Sequence, residues 1–215
     1  MIMNNIETLI EGHNDFQSVK FKKNKERFKH LVEEGQNPKA LFIGCSDSRV
    51  MPELITSSKP GDLFIARNIG NFVAPYNPDV DYHATASAIE YAVSVLEVTD
   101  IIVCGHSECG AISALFKKIE PTDENLHTIK WLELGESAKR AALLSMKGQP
   151  QEEIVRYTEK ISVVFQLENL LTYPAIKRRV EEGSLFLHGW HYDLKHGKIE
   201  YYDEEQYEFK DLSKK

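Results

Sequence analysis

Two short stretches hold the residues best suited to chemistry: CSDSR at 45–49 and GHSECG at 105–110. In the first, Cys45, Asp47 and Arg49 occupy alternate positions, and in extended chain a period of two puts all three side chains on one face. In the second, His106 and Cys109 are three residues apart at the opening of a helix, where they can face the same way. Two thiols and an imidazole, with no fourth cysteine or histidine nearby, suit zinc. Three protein ligands that leave one coordination position open describe a catalytic rather than a structural site. Thiolates donate charge and make the metal a weaker acidifier of water than three histidines would, so neighbours must assist. Asp47 can accept a hydrogen bond from a zinc-bound hydroxide, and a two-pronged pair with Arg49 would hold that carboxylate ionised and aimed. Released by Arg49, the same carboxylate could become the fourth ligand and block the site.

Plainer readings apply elsewhere. Cys104 sits inside the apolar run IIVCG and reads as a small core hydrophobe. His13, His30, His83, His127, His188, His191 and His196 lack ligand spacing to the trio. His188 and His191 read as strand or turn residues and His83 as a surface residue. GNFVAP has neither the spacing nor the context of a phosphate-binding loop.

The elements that must position the trio can be read around it. PKALFIG and TDIIVCG are buried strands ending at Gly44 and Gly105, GDLFIARN is a further short strand, and YHATASAIEYAVSVLE carries a helical apolar stripe. Strand, helix, strand in that order implies parallel pairing and an α/β fold with a mostly parallel central sheet flanked by helices. In such sheets ligands gather beyond the carboxyl ends of the strands, where both motifs fall. Residues 1 to about 35 have helical apolar spacing and read as one or two amphipathic helices. From Gly110 to about Glu182 the pattern is helical, interrupted at Pro121, Pro150 and Pro174. Residues 185–203 alternate around a His-Gly turn and read as a hairpin or antiparallel edge strands. The whole, 1–215, is expected to form one domain with a helical arm over 1–35.

The formal charge of −7, from 26 Lys+Arg against 33 Asp+Glu, argues against nucleic-acid binding. There is no run of 18 apolar residues to span a membrane and no basic segment followed by a long apolar core to mark a secretory signal. Three cysteines do not make a disulfide framework, and a reducing cytoplasm fits them.

Taken together, CSDSR (45–49), FIARNIGN (64–71), AIEYAV (88–93) and GHSECG (105–110) resemble the motif blocks of the β-class carbonic anhydrases, in order and at matching spacing. The resemblance implies one Zn²⁺ per chain on Cys45, His106 and Cys109, an Asp47–Arg49 gating dyad, and hydration of CO₂ to bicarbonate and a proton by zinc-bound hydroxide. It implies that Gln36 hydrogen-bonds the substrate and that Phe64, Ile69 and Tyr91 line a narrow apolar CO₂ pocket. It further implies a homo-oligomer, a dimer or a tetramer of dimeric units, with the N-terminal helices wrapped over the partner. Two departures stand out. Phe42 replaces the tryptophan of a Trp–Arg–Tyr trio that serves bicarbonate regulation, although Arg67 and Tyr192 remain, so the chain resembles the plant-like subgroup with an open zinc site. Ala111 replaces a glycine that commonly follows GHSxCG. Rival readings are hydrolysis of carbon disulfide or carbonyl sulfide at the same site, and a non-catalytic zinc-holding regulatory protein.

Overall fold

The computed structural model describes residues 5–79 and 81–214. The chain divides into two compact units, Met1–Asn37 and Pro38–Lys215. In the first unit, helix α1 (Asn5–Asp15) passes through a five-residue π-helical turn, Phe16–Lys20, into α2 (Phe21–Glu34), which stops at Gly35 with φ +84°. A left-handed φ is the usual way to end a helix, and glycine adopts it without steric cost. Phe16, Phe21 and Phe28 bring their rings together around the π turn, with Phe21 and Phe28 stacked at 5.3 Å. No residue of either helix is buried.

The second unit is built on a six-stranded sheet of order β2-β1-β3-β4-β5-β6. The strands are β1 (Ala40–Cys45), β2 (Leu63–Asn68), β3 (Asp100–His106), β4 (Phe186–Asp193), β5 (Lys198–Asp203) and β6 (Glu208–Asp211). The first four pair in parallel and the last two antiparallel. The expected hairpin over 185–203 is therefore half of the arrangement. β4 lies inside the sheet, matched to β3 from Asp100↔Phe186 to His106↔Tyr192, and only β5 and β6 form the antiparallel edge. Among the described residues, seven α-helices complete the unit: α3 (Pro52–Ile55), α4 (Ala84–Ser94), α5 (Gly110–Leu115), α6 (Leu126–Leu132), α7 (Glu136–Ser145), α8 (Gln151–Leu170) and α9 (Pro174–Glu181). The prolines act as expected: Pro150 immediately precedes α8, and Pro174 opens α9, where its missing N–H costs no helical bond.

Alternation along β1 and β3 sorts the core. Leu41, Ile43, Ile101 and Val103 pack on one face with Ile89 and Val93 of α4, Val163, Leu167 and Leu170 of α8, and Ile176 of α9. Ala40, Phe42, Ile102 and Cys104 form a smaller cluster on the other. Phe42 is fully buried there, edge-on to Trp190 at 6.3 Å. Cys104 is likewise fully buried, as read from its sequence context.

Helix α8 comes unusually close to the sheet, and two glycines allow it. A Cβ on Gly105 would lie 2.7 Å from Val163 Cγ2 and 3.2 Å from the Glu159 carbonyl oxygen, and one on Gly189 would lie 3.0 Å from Val163 Cγ1. This approach carries the polar residues of the α8 inner face, Glu159, Ser162 and Gln166, into the interior.

Candidate metal centre

β1 and β3 are neighbours in parallel, so their carboxyl ends emerge side by side and deliver Cys45 and His106 to one place. The chain then turns at Ser107 and Glu108 and enters α5 with Cys109 as its N-cap. The result is a buried cluster in which one ligand atom each from Cys45, His106 and Cys109 lies within 4.8 Å of the others. Glu108, between the second and third of these residues, has φ +58°, a left-handed conformation uncommon for a residue with a side chain.

The protonation pattern fits a metal. His106 Nδ1 donates to the Ser107 carbonyl oxygen at 2.9 Å. That bond leaves Nε2 as the lone-pair nitrogen, and Nε2 is buried with no hydrogen-bond partner. Cys45 is pushed well below the usual thiol range, first by a hydrogen bond from the Cys109 thiol, against the cost of burial, and further by His106 and by the N–H groups of Asp47 and Gly70. Cys109 is pushed up, because it holds the proton it shares with Cys45 and because it is buried. The two sulfurs thus keep one proton between them. Burial disfavours the His106 imidazolium, and the Cys45 thiolate beside it more than offsets that, so its net shift is upward. A site that crowds two sulfurs and an orphaned imidazole nitrogen into the interior has the donor set of a three-ligand zinc site.

Asp47 and Arg49 form the pair read from the sequence. Asp47 Oδ1 accepts from Arg49 Nε at 2.9 Å and from the Arg49 backbone N–H at 3.0 Å, while Oδ2 accepts from Nη2 at 2.7 Å. These bonds hold the Asp47 carboxyl well below the usual carboxylate range against modest burial. The guanidinium also donates to the Glu108 carbonyl oxygen at 3.1 Å, tying the dyad to the loop between His106 and Cys109.

The proposed pocket residues are less gathered. Phe64 on β2 and Tyr91 on α4 approach ring to ring at 5.8 Å, whereas Ile69 and Tyr91 are both nearly half exposed. The Ile69 carbonyl oxygen accepts the Trp131 indole N–H at 2.8 Å, which ties the turn after β2 to α6. Gln36 lies just beyond α2, exposed and within the N-terminal unit. The Ala111 methyl has a specific accommodation. It faces Gly70 (φ +77°), where an added Cβ would lie 2.9 Å from it, so the glycine at 70 leaves room for the methyl at 111.

Other residues at the site take roles the sequence did not indicate. Arg67, named from the sequence only as a member of the Trp–Arg–Tyr trio, donates to the carbonyl oxygens of Cys45 at 3.0 Å and Asp47 at 2.7 Å, bracing the turn that bears both. Glu159 accepts the Cys109 backbone N–H at 3.0 Å, and burial pushes its carboxyl up to about 7. His191, read as a strand or turn residue, is on β4 and buried. It lies 3.9 Å from Glu159 and 3.6 Å from Glu200, both too long for hydrogen bonds. The available signal was an acid on an otherwise buried helical face, Ile154, Thr158, Ser162, Val163 and Gln166, where a carboxyl needs a reason. His83 is exposed and bonded to Asp79 at 2.8 Å, and His188 on β4 is bonded to Asp100 at 2.8 Å.

Comparison with known proteins agrees with this geometry. The family model described as carbonic anhydrase matches residues 40–199. A carbonic anhydrase of Synechocystis is 41% identical over 199 residues, covering 92% of this chain and 71% of its own. One from Pseudomonas aeruginosa is 41% identical over 197 residues, covering 91% and 86%. Among solved structures, the β-carbonic anhydrase CcaA superimposes with a TM-score of 0.89 at 39% identity, over 96% of this chain and 91% of that one. A tetrameric β-carbonic anhydrase of Sordaria macrospora gives 0.80 at 30% identity, over 93% and 97%. On the shared fold, the four motif blocks and the buried Cys–His–Cys cluster, the chain belongs to the β-class carbonic anhydrases.

Proposed function

We propose that the chain catalyses the reversible hydration of CO₂ to bicarbonate and a proton, with one zinc ion held by Cys45, His106 and Cys109. The observation that carries this reading is the juxtaposition of the buried trio with an Asp47 carboxylate already fixed by three hydrogen bonds from Arg49. When bound, zinc supplies a Lewis acid that brings a water to its nucleophilic form near neutral pH. Asp47, held ionised, would accept a hydrogen bond from that water and orient it, and Arg49 would keep the carboxylate turned away from the three donor atoms. The apolar side chains of Phe64, Ile69 and Tyr91 receive the linear, uncharged substrate, and Gln36 offers it a hydrogen-bond donor. Phe42, buried and without a donor of its own, supports the plant-like, open-site reading over bicarbonate regulation.

Among the described residues, no helix is long and apolar enough to cross a membrane. The reading places the enzyme in the cytoplasm as a homodimer or a tetramer of dimeric units. Support for assembly comes from the exposed apolar residues of the arm, with Ile6, Leu9, Ile10 and Val32 each more than half exposed, and from the tetrameric Sordaria relative. Stopped-flow CO₂ hydration by the purified, zinc-loaded protein is expected to exceed the buffer rate by orders of magnitude. A rate equal to buffer removes the reading, and turnover of carbon disulfide or carbonyl sulfide in its place would redirect it.

A further inference from the structure

The Glu108–Cys109 peptide is gripped at both ends. Its carbonyl oxygen accepts from Arg49 Nη2 at 3.1 Å and its N–H donates to Glu159 Oε1 at 3.0 Å. In a trans peptide these two groups point in opposite directions, so a guanidinium on one side and a carboxyl on the other fix the orientation of the plane. Glu108 is held in a left-handed conformation at this point, the kind of backbone that persists where surrounding contacts over-determine it. Glu159 is 3% exposed, its carboxyl also takes a hydrogen bond from the Glu108 backbone N–H, and His191 Nε2 lies 3.9 Å from Oε2. An acid placed this deep, with its hydrogen bonds spent on the backbone leading into Cys109, calls for a role beyond packing. Gly105 supplies the access, since a Cβ there would press on the Glu159 backbone.

We propose that Glu159 is a positioning residue that seats the Cys109 sulfur in the metal's ligand set by holding the Glu108–Cys109 peptide from behind, opposite Arg49. The proposal rests on the reading of Cys109 as a zinc ligand. Through the same peptide, the loop that carries Cys109 and the guanidinium that restrains Asp47 share one anchor. Hydrogen-bond partners behind metal ligands typically govern metal affinity in this way.

The test compares the zinc-loaded parent with Glu159→Gln and Glu159→Asp. Glutamine keeps an oxygen acceptor at the same reach, whereas aspartate keeps the carboxyl but withdraws it by one methylene. Two quantities are read: zinc release to excess chelator at fixed pH, and the thiolate-to-metal absorption band of the cobalt-substituted proteins. Glu159→Gln is expected to release zinc within about threefold of the parent, and Glu159→Asp about 10–100-fold faster with a shifted cobalt band. Parent-like release and spectrum in Glu159→Asp overturn the proposal, as does a glutamine variant that fails as badly as aspartate, which would make the charge and not the reach decisive. Should Glu159→Asp not fold, Glu159→Met tests the same bond, and parent-like zinc release there is equally fatal. A parent that holds no stoichiometric zinc, or a Cys109→Ser protein that holds it as tightly, sinks the ligand assignment instead.

Discussion

Replacing each of two buried cysteines by serine should give opposite signatures, because they face opposite sides of the sheet. Cys104 is fully buried with Phe42 and Ile102, its sulfur meets only the Gly105 carbonyl oxygen at 3.5 Å, and burial pushes its thiol up to about 12. A hydroxyl there is a polar group placed in an apolar site, at a cost of about 1–3 kcal/mol. For a chain of this size each kcal/mol lowers the melting temperature by about 2–4 °C, so Cys104→Ser should melt roughly 2–12 °C lower. Its zinc content should be that of the parent, since the thiol is not in the ligand cluster. Cys45→Ser should instead lose stoichiometric zinc, because an alcohol near neutral pH does not replace a thiolate whose proton is already displaced by its surroundings. Metal analysis after dialysis against a weak chelator, paired with scanning calorimetry, separates the two outcomes. Zinc loss in Cys104→Ser with an unchanged melting temperature, or tight one-to-one zinc in Cys45→Ser, would refute the assignment of sides.

Two further outcomes are expected. Asp47→Asn should retain zinc but lose about 10²–10⁴-fold in CO₂ hydration, since an amide presents one NH₂ where Arg49 now meets an acceptor oxygen; full turnover by stopped flow would remove the dyad from the mechanism. His191, whose pKa is pushed down to about 4 by burial and secondarily by Lys160, is neutral in the fold. Glu200 does not counter this because Lys160 already binds it at 2.6 Å. The unfolded chain takes up a proton at this position as pH falls below about 6.5, so stability is complete above that value and declines as pH falls towards 4, by on the order of 2–3 kcal/mol. Denaturant unfolding of His191→Phe across that range should show a flatter acid limb, and a parent-like slope would contradict the buried neutral imidazole.

The sequence by itself determined the chemistry-bearing residues and the strands that carry them. Cys45, Asp47 and Arg49 follow one apolar strand and His106 and Cys109 another, and parallel pairing of two such strands necessarily brings their carboxyl ends together. The core role of Cys104 was legible from the apolar run IIVCG around it, and alternation along β3 sets it with Ile102 toward Phe42. Tertiary structure alone decided what stands behind the Cys45–His106–Cys109 cluster. Glu159 is 50 residues from Cys109 along the chain, on a helix whose approach depends on two glycines in different strands. The placement of β4 inside the sheet was likewise invisible locally, because an alternating segment reads the same at an edge as beside β3. Local pattern reports which face a side chain takes; long-range packing decides what it meets there.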